Sequence, residues 1–329
     1  MEAVMRSTRT IIAALACLTL AAAARAQPVP PPMTADADNR VSELVVVAHP
    51  QGPAMWEVKN GDNTMVIIGA VTPMQQQQHW EQRPLFAALE GSRLLLTSPK
   101  TDLGPIQILG LLTGNIWKVR QRQPLEPQLP PDLRTRFVAA RTHAWEKDGR
   151  YAQWKPAAAG FLLLSDYRRS FGFSEGKPAT TIEKIAKDYG IRTEPLGAYR
   201  IGLFMKVAAR LDDAQQLTCL REALDQMEYE GAHAQDLNDD WAKGDVKSVI
   251  ARYRVAAAQR CLMLAPGGRE LVQQEMQKAA DRLWSELQKP GKTVAVIDMA
   301  WLYPQDGLLD RLKAKGAAVG PPPALRDVD

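Results

Sequence analysis

Thr293-Val294-Ala295-Val296-Ile297 is a short apolar run, rich in β-branched residues, between the turn signal Pro290-Gly291 and Asp298. A run of this length bounded by turn residues reads as a buried strand. What surrounds it decides the fold. Upstream, Leu271, Met276, Ala279, Leu283 and Leu287 recur at helical spacing. Downstream, Leu308 to Lys315 predicts a helix and Ala317 to Gly320 a short closing strand. The chain from about residue 130 to 288 reads as mostly helical. Within it, Thr180-x-x-Glu183 predicts a capping box for a helix ending at Gly190. Near the other end, Trp56-Glu57-Val58 and Thr64 to Ala70 flank Asn60-Gly61-Asp62-Asn63, which is hairpin chemistry. Arg83 to Glu90 follows as a helix with Pro84 in its first turn, and Leu94-Leu95-Leu96 as a buried strand. Strands at both ends with helices between them predict an α/β (or α+β) fold. Its mixed sheet is built from N- and C-terminal segments, with a large, mainly helical insertion.

The first residues set the expected compartment. Arg6 and Arg9 precede an apolar run from Ile11 to Ala24, which ends in Ala24-Arg25-Ala26. Charge, apolar core and small-residue site together predict a secretory signal peptide over residues 1–26, cleaved near Ala26. An uncleaved N-terminal anchor is the other reading, but the run falls short of the ~18 apolar residues of a membrane span, and no later stretch reaches that length. Cys17 would leave with the signal. Removing 26 of 329 residues leaves 303, and the three arginines and one glutamate removed take +2 of the net +4 with them. The remaining balance gives no reason to expect a nucleic-acid partner. Residues 27–40, opening with Pro28-Val29-Pro30-Pro31-Pro32, predict a flexible linker, and Val41 to Ala48 a strand. A single domain is expected over residues 41–320, with a loose tail at 321–329. Cys219 and Cys261 remain, both in helical stretches. In an exported chain an even pair reads first as a disulfide stapling two helices, with two free buried thiols as the alternative.

Motif reading finds no reaction centre. His49, His79, His143 and His233 form no H-E-x-x-H frame, and G-x-S-x-G, Walker A, G-x-G-x-x-G and C-x-x-C are all missing. Asp298, Asp306, Asp239-Asp240 and Asp245 offer carboxylates that in loops are normally solvated.

The order of features carries more. Gly52-Pro53-Ala54-Met55-Trp56-Glu57-Val58-x-x-Gly61-Asp62, then Gly69-Ala70-Val71-Thr72 and Trp80, resembles the opening of the TraB/GumN family, which includes the Tiki-type metal-dependent peptidases. Trp241-x-x-Gly244-Asp245, Gln259-Arg260, Val294 to Ile297 and Asp306-Gly307-Leu308-Leu309-x-x-Leu312-x-x-x-Gly316 resemble its later motifs, so the likeness runs from about residue 52 to 320. The resemblance implies two G-x-x-H motifs at strand ends plus a glutamate, a set able to hold a divalent metal that makes a nucleophilic hydroxide. Here Thr72 stands at the first histidine and Trp301 at the second, with Asp298 at the second glycine. Thr97 falls at that glutamate, and Gly197, in Leu196-Gly197, at a further family glutamate that stands in a Leu-Glu pair ahead of a helix. Arg260 is retained, while Cys261 replaces the asparagine beside it.

Threonine is a poor ligand and an indole offers a metal no lone pair. The expectation is therefore the family fold without cofactor: an exported, periplasmic or secreted pseudoenzyme that binds a peptide, a glycan or an envelope protein. Trp56, Trp80 and Trp301 are its candidate aromatic contacts, against the plainer reading of core tryptophans. The alternative is a hydrolase with a rebuilt site of Thr72, Asp298 and Arg260.

Overall fold

The structure, a computed structural model, describes residues 52–101, 116–199, 206–303 and 305–320. The expected signal, linker, first strand and tail lie outside them. Ten strands occur among the described residues: β1 Met55–Asn60, β2 Asn63–Ala70, β3 Met74–Gln75, β4 Ser92–Thr97, β5 Lys100–Thr101, β6 Phe173–Ser174, β7 Thr193–Pro195, β8 Ala198–Tyr199, β9 Lys292–Asp298 and β10 Ala318–Val319. Six build the main sheet in the order β10-β1-β2-β9-β4-β7. β1 and β2 form the expected hairpin, closed by the pair Asn60↔Asn63. Gly61 supplies the left-handed φ of 59° at the first turn position.

β9 lies parallel between β2 and β4, with Ala70 opposite Asp298 and Leu96 opposite Ala295. Its five central residues are buried, as a parallel strand covered on both faces requires. Met65, Ile67, Ala295 and Ile297 face helices Gly268–Leu287 and Leu308–Ala314 through Leu283 and Leu312. Ile68, Leu95, Val294 and Val296 face helices Arg83–Leu89 and Ala179–Asp188 through Leu85 and Ile182. This is the mixed sheet of N- and C-terminal segments foreseen from the sequence. The edge strand β7 was not foreseen; it comes from within the helical stretch.

One helix organises that stretch. Asp213–Lys243 begins with a capping box between Asp212 and Gln215 and ends where Gly244 turns left-handed at φ 74°. Its 31 residues span about 46 Å. It packs along helix Pro156–Ser170 through Leu220, Ala223 and Leu224, which join Leu163, Phe137 and Tyr151 in a second core. At its far end Trp241 Nε1 donates to the Gly69 carbonyl at 2.7 Å. Asn238, fully buried, donates to Pro73 O at 3.0 Å and accepts from Gln75 N–H at 2.6 Å. The helix is thereby tied to the loop that leaves β2. Cys219 on it and Cys261 on helix Ala257–Leu262 have their sulfurs 2.03 Å apart, the helix-to-helix pairing expected.

The capping box expected at Thr180 does not form. The helix starts at Ala179, and Thr180 already sits in its first turn with its N–H on the Gly176 carbonyl. Pro178, with its preset φ, starts the helix and supplies the carbonyl that takes the Thr181 and Ile182 N–H groups. The side chain of Thr180 is left without a capping role. Among the described residues, no helix is long and apolar enough to cross a membrane.

Candidate functional site

Parallel strands end together, and the crevice outside their carboxyl ends is where such sheets take ligands. Here the ends of β2, β9, β4 and β7 surround a cavity of about 280 Å³, lined among others by Thr72, Ser98, Leu196, Tyr253, Asp298 and Trp301. Asp298, the last residue of β9, caps helix Met299–Leu302 by accepting the Ala300 N–H at 2.8 Å. Tyr253 Oη lies 2.8 Å from both of its oxygens and donates to them. The Thr72 side chain, at the end of β2, adds a third hydrogen bond. Burial raises the pKa of Asp298, and these three bonds pull part of the shift back. Burial, reinforced by the neighbouring Asp298, holds the Tyr253 phenol well above its ordinary value, so it is a donor at any physiological pH.

The helical stretch supplies the opposite wall. Arg168 donates through Nε and Nη2 to Glu230 at 2.8 and 2.6 Å and through Nη1 to Glu175 at 2.8 Å. Gln226 also donates to Glu230, at 2.6 Å. Arg254 stacks its guanidinium on the Tyr229 ring, 3.5 Å from the centroid. Tyr229 is held in turn by its hydroxyl, which donates to the Arg252 carbonyl at 2.8 Å.

Of the residues singled out from the sequence, Thr72, Asp298 and Trp301 meet in this cavity. Thr97 is buried at the end of β4, and its neighbour Ser98, not Thr97 itself, reaches the lining. Likewise Leu196 lines the cavity and Gly197 does not. Arg260 does not line it: it binds Glu222 at 2.7 Å and lines an adjoining, water-sized cavity of about 30 Å³ that shares Thr72, Gln226, Tyr253 and Arg254 with this one. Trp56 is core at 2% exposure. Trp80 is half-buried, edge-on to Trp241 at 5.3 Å, beside an open depression away from the strand ends. Asp240 pairs with Arg252, Asp245 caps the Ser248 N–H, Asp239 accepts from Gln78, and Asp306 sits in a left-handed turn at φ 63°.

Tyr253, Arg168 and Arg254 escaped the sequence reading. They belong to no motif and reach Asp298 only through tertiary folding; Tyr253 is 45 residues away along the chain. The one local signal is Arg252-Tyr253-Arg254, an aromatic between two cations just past a helix capped by Gly244-Asp245. Chemically, the assembled site is a half-buried carboxyl held by three donors beside a wall of compensated charges and one stacked guanidinium.

The family profile described as the TraB/PrgY/gumN family matches residues 54–321. No curated protein and no solved structure matches the chain.

Proposed function

The chain belongs to the TraB/PrgY/gumN family, and from that premise we propose an exported member that binds a ligand in the cleft at its strand ends and has given up metal-dependent hydrolysis. One observation carries the reading: the single carboxylate at the end of β9 is spent on its own protein, bonded by Tyr253, Thr72 and the Ala300 N–H. The metal that the resemblance implies does not fit the residues present. Among the described residues, Glu175 is the other carboxylate lining the cavity and is bound by Arg168, and no imidazole lines it. Trp301, at a histidine position, has only an N–H to offer. Among the described residues no group of three or more His, Cys, Asp or Glu could hold a metal ion. Arginine, glutamine and tryptophan around a concave site suit recognition of a peptide, a glycan or an envelope protein. The N-terminal sequence supports placement in the periplasm or outside the cell, with cleavage near Ala26.

A second reading has one observation in its favour. The Thr72 hydroxyl is bonded to Asp298, whose raised pKa suits a general base, so a rebuilt hydrolase would use this pair. Arg260, turned toward Glu222, has no part in it.

Metal content and hydrolysis decide between them. Protein purified after export is expected to carry well under one equivalent of Mn, Co or Zn and to leave a panel of unstructured peptides uncut. Stoichiometric tight metal would overturn the proposal. Chelator-resistant cleavage abolished by Thr72→Ala and Asp298→Ala would replace it with the second reading.

A further inference from the structure

Resting on the binding reading just given, we infer that the strand-end cavity recognises a monoanionic carboxylate carried on a short apolar body, with Arg254 as the residue that reads the anion. The charges around the cavity leave Arg254 as the distinctive group. Arg168 is saturated by Glu230 and Glu175, Arg252 is taken by Asp240, and Arg260 by Glu222. Among the described residues Arg254 has no carboxylate partner. Its contact is the Tyr229 face at 3.5 Å, which leaves the edges of the guanidinium, where its N–H donors lie, open for hydrogen bonding. Tyr229 is itself fixed through Arg252 O, so the platform is set before a ligand arrives.

A guanidinium fork matches a carboxylate two bonds at a time. Pro99, Leu196 and Trp301 supply apolar wall in the same cavity. About 280 Å³ is just under the range of whole drug-sized sites, which suits a chain end or a small acid. A dianionic phosphate is disfavoured, because Glu175 and Glu230 lie close by and only one fork is open to it. Asp298, held toward its neutral form by burial, adds less repulsion than an ordinary aspartate would. The carboxylate can come from a peptide C-terminus or from a free organic acid.

Calorimetric titration of the full exported chain with N-acetyl-leucine, N-acetyl-alanyl-leucine, both corresponding amides and inorganic phosphate tests this. The acids are expected to bind about 10- to 100-fold more tightly than the amides, the factor for one charge-assisted pair. Arg254→Gln is expected to remove that advantage and leave amide binding where it was, and Arg254→Lys to retain part of it. Arg254 is exposed, so folding is not at stake, and a thermal melt verifies this. Tighter binding of the dipeptide acid identifies a chain end, and equal binding a free acid. Acids and amides binding alike, a silent Arg254→Gln, phosphate binding as well as the acids, or no acid binding at all would each overturn the carboxylate assignment. The first of these leaves the cleft-binding function standing. Release of leucine or leucinamide from the dipeptide probes, with N-acetyl-alanine as the other product, would sink that function instead.

Discussion

Tyr253→Phe removes one hydroxyl from the strand-end site and leaves the ring in place. That hydroxyl bonds both oxygens of Asp298 at 2.8 Å, and it is one of three groups that bond this carboxyl. Once Asp298 is ionised, losing a hydrogen bond to a buried charge costs about 2 kcal/mol. In acid, with Asp298 protonated in both states, the lost bond is neutral and costs about 1 kcal/mol. For a folded unit of this size those losses correspond to drops in Tm of about 4–8 °C above the folded pKa of Asp298 and about 2–4 °C in acid. The sign of the pH dependence is set by burial. The folded pKa of Asp298 is raised, so its contribution is fully present below the unfolded aspartate value and is lost as pH rises through the folded pKa. Tyr253 is among the groups that lower the pKa, so the variant raises it further and carries the decline to higher pH. Urea unfolding followed by circular dichroism, at a series of pH values from acid to alkaline, reads both effects. An equal loss at every pH, or a larger one in acid, would refute the assignment of Asp298 as the group that Tyr253 serves.

Two more substitutions probe the supports of the site. A Cβ at Gly69 would meet Met299 Sδ at 2.5 Å and Trp56 Cζ3 at 2.8 Å. Trp56 is core and cannot yield, so Gly69→Ala is expected to destabilise by about 1–3 kcal/mol in urea unfolding; an unchanged midpoint would show that this packing is looser than described. Arg168→Met leaves buried Glu230 without its cation and is expected to cost about 3–5 kcal/mol, most of it regained in Arg168→Met/Glu230→Leu. A double variant no more stable than the single one would mean that the ion pair is not what Arg168 contributes.

The parts of the fold legible in the sequence were those specified by neighbours along the chain. Asn60-Gly61-Asp62-Asn63 announces the hairpin because its turn demands glycine chemistry locally. The run from Thr293 to Ile297 announces a strand buried on both faces because its residues are apolar in succession. β7, three residues ending in Pro195, has no periodicity to detect and exists because β4 offers it an edge. The Thr180 motif had the right residues but lost to Pro178, which starts the helix earlier. At the site, strand-end positions Thr72 and Asp298 could be found by motif order, since they follow strands that the sequence announces. Tyr253 and Arg254 could not, because a helix of 31 residues carries the chain across the molecule before they reach the cavity. Arg260 shows the converse: a residue can keep its place in a motif while its guanidinium is committed to Glu222.

The flanks of the main sheet have a consequence for how anything can approach it. One flank is the two-residue β10, followed in the sequence by Gly320 and three prolines. The other is β7, whose last residue, Pro195, has no N–H to donate. Flanks this short, one ending in proline and the other running into it, give an incoming extended chain almost no ladder to zip onto. Among the described residues, augmentation by a borrowed strand, a common way for a sheet to capture a peptide, finds little ladder at either of these two flanking strands. At the carboxyl tips of β2, β9 and β4 the backbone rungs have run out, and the cavity proposed to bind a ligand meets it end-on, with side chains rather than ladder bonds.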